Sequence, residues 1–72
     1  MLNKSYLEFK VLEQKPKTKV YEVISQLHGF RLGIIQWYGA WRQYCFFPEE
    51  STIYSKGCLE EINNFIKLIK KE

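Results

Sequence analysis

Hydrophobic and polar residues alternate one by one through most of this chain. Near the C-terminus the spacing lengthens to three and four. In Tyr6-Leu7-Glu8-Phe9-Lys10-Val11-Leu12, the side chains of Leu7, Phe9 and Val11 fall on one side and those of Glu8 and Lys10 on the other. That is the pattern of a half-buried antiparallel strand, expected over residues 6–13. Gln14-Lys15-Pro16-Lys17-Thr18 interrupts it, because Pro16 has no backbone donor and its neighbours are polar. Val20-Tyr21-Glu22-Val23-Ile24-Ser25 is β-branched and aromatic and predicts a second strand over 19–26, closed by a tight turn at His28-Gly29. The aromatic stretch Leu32 to Pro48 reads as a hairpin with strands over 31–38 and 41–47. Gly39-Ala40 would be its two-residue type II′ turn, with Gly39 supplying the positive φ, and Pro48 would end the ladder. Thr52-Ile53-Tyr54 predicts a short fifth strand at an edge, over 52–54.

The helical period begins after Ser55. Leu59, Ile62, Ile66 and Ile69 form an apolar stripe, flanked by Cys58 and Phe65. Ser55 is the expected N-cap of a helix over 56–70. Glu60 and Glu61 lie early in it and Lys67, Lys70 and Lys71 late, as the helix dipole favours. The order is β-β-β-β-(β)-α. Loops this short leave neighbouring antiparallel strands as the only arrangement. The expected fold is a single α+β domain over residues 1–72, a four- to five-stranded antiparallel β-meander with one C-terminal α-helix packed across one face.

A two-residue turn at Gly39-Ala40 fixes the cross-strand pairs by counting. Tyr38 then faces Trp41, Trp37 faces Arg42, Gln36 faces Gln43 and Ile35 faces Tyr44. One sheet face would carry Leu32, Ile34, Cys45, Phe47, the two glutamines, Tyr38 and Trp41. The other would carry Ile35, Trp37, Arg42, Tyr44 and Phe46. Both are rich in apolar surface, and one helix can bury only one of them. The second face therefore implies a partner, which is another copy of the chain, a ligand or a macromolecule.

Composition sharpens this picture modestly. The chain has 72 residues, 46% hydrophobic and 17% aromatic, which marks it as globular and small enough to gain from oligomerisation. A net charge of +3 permits contact with polyanions without demanding it. Lysines at Lys15, Lys17 and Lys19, and again at the helix end, read as solvated surface with weak polyanion steering. Cys45 and Cys58 are expected to be buried thiols in a reducing compartment, with a disulfide as the alternative. No CxxC occurs and the single histidine, His28, is isolated, so no metal site is expected. With no aspartate and no activated nucleophile, neither catalytic residues nor a cofactor are expected. No signal peptide, transmembrane run or lipidation motif is visible, so the expected location is the cytoplasm of whichever cell makes the protein.

The residues that invite a ligand or partner are Trp37, Tyr38, Trp41, Arg42, Gln43 and Tyr44. Trp37 opposite Arg42 would make a cation–π contact, continued by Tyr44. Such a surface suits base stacking with phosphate contact, and it suits a protein interface equally. It is also what plain sheet packing with an Arg42–Glu22 ion pair would look like. Tyr38 and Trp41 at the tip either stabilise the hairpin or rim a pocket. The Gln36–Gln43 pair needs mutual or ligand hydrogen bonds if it is buried.

The phrase LGIIQWYGAWRQYCFFP followed by TIYSKGCLEEINNFI resembles a family of small uncharacterised proteins of phages and other mobile elements. In that family an LGxIxWYxxWRQYxFxP core precedes a CLxxIxxFI helix. The resemblance spans roughly residues 18–69 and implies a mobile-element origin but no catalytic residues. Small phage proteins of this size often inhibit host defence, so the expected function is a non-enzymatic binding module of anti-defence type. It would act through the aromatic, arginine-bearing sheet face on a host protein or on itself. The alternative is a binder of a nucleotide or nucleic acid, with Trp37, Tyr44 and Trp41 stacking on bases and Arg42 holding phosphate.

Overall fold

The computed structural model of the chain describes residues 6–69. Four strands, β1 (Leu7–Gln14), β2 (Lys19–Ser25), β3 (Arg31–Tyr38) and β4 (Gln43–Pro48), form one antiparallel sheet in the order β1-β2-β3-β4. Helix α1 (Lys56–Leu68) follows and packs on one face. This is the α+β meander expected from the alternation, with four strands. The fifth strand expected at 52–54 is absent, because that segment is used as a strap. The Tyr54 hydroxyl donates to the Leu32 carbonyl at 2.7 Å and accepts from the Thr52 hydroxyl at 2.9 Å.

The first two turns follow from their residues. Lys15 N–H donates to Thr18 O at 2.8 Å across Pro16-Lys17. At the β2–β3 turn, Ser25 accepts twice, its Oγ from His28 N–H at 3.2 Å and its carbonyl from Gly29 N–H at 2.7 Å. Gly29 has φ 79°, a conformation that glycine adopts without steric cost.

The third turn departs from the sequence expectation. Tyr38 pairs with Gln43, Trp37 with Tyr44, Gln36 with Cys45 and Ile35 with Phe46. The connection is thus a four-residue loop, Gly39 to Arg42, and Arg42 rather than Gly39 has the positive φ, at 55°. Trp41 N–H donates to Tyr38 O at 3.1 Å and Arg42 N–H to Gly39 O at 3.2 Å, a loop built around tight turns. Relative to the two-residue turn, β4 has slid by two residues. A two-residue slip keeps every side chain on its own face, so alternation alone does not distinguish the two registers. The longer loop lets Trp41 fold edge-on against Tyr38, with ring centroids 5.1 Å apart. It also brings Glu49 N–H to Leu32 O at 2.8 Å.

A bulge then resets the lower half of β3. Val23 pairs with Gly33, but Ile24 pairs with Arg31, leaving Leu32 as the extra residue. Leu32 joins the helix-side core rather than lying beside Ile34, as strict alternation had it, and Arg31 turns to the other face. Directly above, Gly33 is buried beneath Phe46. A Cβ on Gly33 would lie 2.5 Å from the Phe47 carbonyl oxygen and 2.8 Å from the Phe46 ring. Only glycine fits between those two groups.

Helix α1 is capped as expected, with Ser55 Oγ accepting from Cys58 N–H at 3.2 Å. Its core-facing stripe runs through the buried Ile62 and the half-buried Cys58, Phe65 and Ile66 to Ile69 at the C-cap, while Leu59 is exposed, one position off the expected line. No acidic residue occupies the first turn. Glu61 instead accepts the Tyr6 and Leu7 amides, at 2.8 and 3.1 Å, and so fastens the helix to the start of β1. Phe65 stacks flat on Phe9, with centroids 4.1 Å apart, and meets Tyr21 edge-on at 4.9 Å. The core of Leu7, Val23, Leu32, Ile35, Tyr44 and Ile62 closes around these contacts. Lys70, the last residue of the expected helix, and Lys71 lie outside the described residues.

Gly33→Ala should therefore lower the unfolding free energy by about 2 kcal/mol or more, through overpacking against backbone. Gly39→Ala, whose added Cβ meets nothing within 4 Å, should stay within about 0.5 kcal/mol of the parent. Urea midpoints of the two variants, followed by circular dichroism, check the contrast.

Candidate functional site

The helix covers the face of Ile35, Trp37, Tyr44 and Phe46. This places two residues of the sequence-predicted site inside the fold. Tyr44 is buried, and its hydroxyl crosses under the helix to accept from Lys19 N–H at 3.3 Å. Trp37 packs edge-on against Tyr44 at 5.4 Å and is half-buried beside the core. Arg42 does not stand opposite Trp37. It sits exposed in the hairpin loop, so the Trp37–Arg42 cation–π pairing is replaced by the Trp37–Tyr44 pair. The Arg42–Glu22 ion pair is replaced as well, since Glu22 meets Arg31 at 3.5 Å. Gln36 and Gln43 no longer face one another, Gln36 being opposite Cys45 and Gln43 opposite Tyr38.

The opposite face carries Ile24 from β2, Ile34 and Tyr38 from β3, and Cys45 and Phe47 from β4. Glu22, Ile34 and Phe47 form one row across three strands. The Tyr38 ring leans between Trp41 and Phe47, at 5.1 and 6.1 Å and edge-on to both. An aromatic chain Trp41–Tyr38–Phe47 therefore runs into the aliphatic patch of Ile34 and Ile24. Trp41 is 66% exposed, the wettest member of the chain. Among the described residues no element lies over this face. Its rim is charged, with Arg31 reaching Glu22 at 3.5 Å and Glu49 at 3.3 Å. Of the sequence-predicted residues, the structure brings Tyr38, Trp41 and Gln43 together here and leaves Arg42 beside them in the loop.

Sequence reasoning missed Ile24 and Arg31 as members of this surface. Every residue from Val20 to Ile24 is apolar or β-branched except Glu22, so β2 by itself does not announce which side is open. Its partners on β3 do. Arg31 reaches the open side only because of the bulge at Leu32.

A second apolar feature lies at the other end of β3. An open groove of about 640 Å³ runs between the start of β1, the β2–β3 turn and the segment before α1. Tyr6, Leu27, Phe30 and Ile53 converge on it, and Leu27 and Ile53 are almost fully exposed. Cys58 lines it too, and neither it nor Cys45 is in a disulfide. Among the described residues no three His, Cys, Asp or Glu side chains are grouped so as to hold a metal ion. None of the described helices is long and apolar enough to cross a membrane.

An uncharacterized 9.3 kDa protein of Acholeplasma phage L2 is 32% identical to this chain over 68 residues, covering 93% of the chain and 87% of the phage protein. The chain belongs to the family of that small phage protein. No protein-family model and no solved structure matches it.

The loop that presents Trp41 holds Arg42 in a left-handed conformation that costs a β-carbon-bearing residue roughly 1 kcal/mol. Arg42→Gly should relieve most of that cost, raising the urea midpoint by up to about 1 kcal/mol equivalent, with the Tyr38–Trp41 contact retained in near-ultraviolet circular dichroism.

Proposed function

We propose that this protein is a non-enzymatic interaction module that binds a host protein through the open sheet face, as an inhibitor does. The observation that carries the reading is the half-buried apolar patch of Ile34, Phe47 and the neighbouring Ile24, continued by Tyr38 and Trp41 and bordered by the Arg31 ion pairs. An apolar, aromatic centre with a charged rim is the make-up of protein interfaces, where Trp and Tyr contribute most of the affinity. A chain this short has few apolar side chains to spare from its core, so leaving these outside is a cost that contact with a partner would offset. Membership in a phage protein family supports a host protein as that partner and the host cytoplasm as its place of action. The anti-defence role is the finer form of the same reading.

The nucleotide alternative draws its stacking platform from Trp37 and Tyr44. Both face the helix, and Arg42 stands away from them. Support for base stacking is thus confined to Tyr38 and Trp41, which supports a protein surface as well or better.

Native mass spectrometry of the protein purified gently from host cells, with absorbance at 260 nm alongside, tests the proposal. The expected result is added mass of protein size, lost in Trp41→Ala and Phe47→Ala variants whose far-ultraviolet circular dichroism is unchanged. Each substitution should weaken the complex about 30-fold, as loss of an interface anchor of about 2 kcal/mol requires. Added mass of nucleotide size with raised 260 nm absorbance, abolished by Arg42→Ala, would overturn the proposal in favour of nucleotide binding.

A further inference from the structure

The two edges of the sheet are not alike. On β1 the ladder is broken by a bulge between Val11 and Glu13, and the strand carries Glu8, Lys10 and Glu13. Its outward-facing Leu7 amide is bound by the Glu61 carboxylate at 3.1 Å. These are the devices by which proteins prevent an edge strand from pairing with another chain. On β4, Gln43-Tyr44-Cys45-Phe46-Phe47-Pro48, none of them appears before Pro48. There is no charged residue, and the register against β3 runs from Tyr38–Gln43 to Gly33–Pro48 without a shift.

The polarity of that edge follows from one bond. Glu49 N–H donates inward to Leu32 O of β3. Antiparallel pairing alternates by residue, so Cys45 and Phe47 also direct their backbone groups to β3, and Tyr44 and Phe46 direct theirs away from the sheet. We propose that β4 pairs antiparallel with β4 of a second copy about a two-fold axis at Cys45, joining two sheets into one of eight strands.

This register sets Tyr44 opposite the partner's Phe46, so that the outward N–H and C=O groups of both residues are used in each chain. Moving the axis to Phe46 would bring Tyr44 opposite the partner's Pro48, which has no N–H to give. With the axis at Cys45, Arg42 falls opposite the partner's Pro48 and beside the partner's Glu49 and Glu50. Each Arg42 then meets the partner's Glu50 and the partner's Glu49, which Arg31 already contacts at 3.3 Å, and that complementarity across an isologous interface singles out a second copy as the occupant. The two open faces become continuous, each copy adding Cys45 and Phe47 to the other's apolar row. The pairing does not depend on what that joint face binds.

The test uses the geometry at the axis. Facing residues of a non-hydrogen-bonded antiparallel pair have Cα atoms about 4.5 Å apart, within reach of a disulfide. In the Cys58→Ser variant, the azo oxidant diamide should take two electrons and two protons from the two Cys45 thiols. The product would be a disulfide dimer of twice the 8.7 kDa chain mass on a non-reducing gel. Sedimentation of the unoxidised protein should show the same dimer. Cys45→Lys, which places two ammonium groups at the axis, should raise its dissociation constant at least about tenfold while far-ultraviolet circular dichroism stays unchanged. Arg42→Glu should also weaken it. A chain that sediments as a monomer up to about 100 µM, a range in which a specific dimer would form, overturns the proposal. So does a dimer whose Cys45 thiols do not cross-link. A monomer that still carries a host protein, releasing it on Trp41→Ala, would remove the pairing and leave the open-face reading standing.

Discussion

A single helix must cover a sheet four strands wide, and most of the architecture follows from that mismatch. Four strands at about 4.8 Å spacing present a surface roughly 14 Å across, whereas a helix with its side chains is about 10 Å in diameter. The difference is filled by rings. Phe65 reaches from α1 to lie flat on Phe9 and edge-on to Tyr21. Tyr44 reaches from the far edge strand to the Lys19 amide of β2. Tyr54 closes the remaining end against Phe46 and the Leu32 carbonyl. The high aromatic content is in large part the means by which so short a chain closes one core. Among the described residues the same economy leaves no second element for the opposite face.

The irregular features serve that one-sided packing. The bulge at Leu32 turns an extra apolar side chain toward the helix and sends the Arg31 guanidinium the other way. Gly33 makes room for the Phe46 ring to settle over the β3 backbone. The Leu32 carbonyl accepts both Glu49 N–H and the Tyr54 hydroxyl, so one peptide fixes the exit of β4 and the approach to the helix. At the other edge, the Glu61 carboxylate holds the first two described amides. These polar contacts tie segments far apart in sequence to the rim of the sheet, where apolar burial is thinnest.

The elements were legible because their periods are clean. Leu7, Phe9 and Val11 alternate with charges, and Ser55 stands one residue before the helix begins. The two sheet faces were legible from Ile34 onward, since the register error was a slip of two and preserved parity, but the bulge put Leu32 on the other face. Three things were not legible. Gly39-Ala40 is a good two-residue turn in isolation, and it was overridden by Trp41 packing on Tyr38 and by the Glu49–Leu32 bond, both of which depend on tertiary register. Thr52-Ile53-Tyr54 has strand propensity, but its role is set by a hydroxyl finding a carbonyl 22 residues away in sequence. Trp37 and Tyr44 carry the same rings whether they face a ligand or a helix, and only the docking of α1 decides between those roles. Of the six candidate residues in this hairpin, Trp37 and Tyr44 lie under the helix, and Tyr38, Trp41 and Gln43 lie on the open side with Arg42 beside them in the loop.

What remains outside the fold is then informative about selection rather than about folding. Tyr38, Trp41, Phe47 and Ile34 sit on a rigid scaffold of β3 and β4, between a buried glycine and a hairpin loop that holds Arg42 at positive φ. A domain shaped for stability alone would relieve that loop with glycine and place polar residues along the open row, as half-exposed antiparallel sheets usually do. This chain instead keeps an indole in water at the tip and an uncharged strand at one edge, while guarding its other edge with a bulge, charges and a carboxylate cap. The sheet is thus guarded at one edge only, and both of its unguarded features, the open face and the uncharged edge, converge on β4.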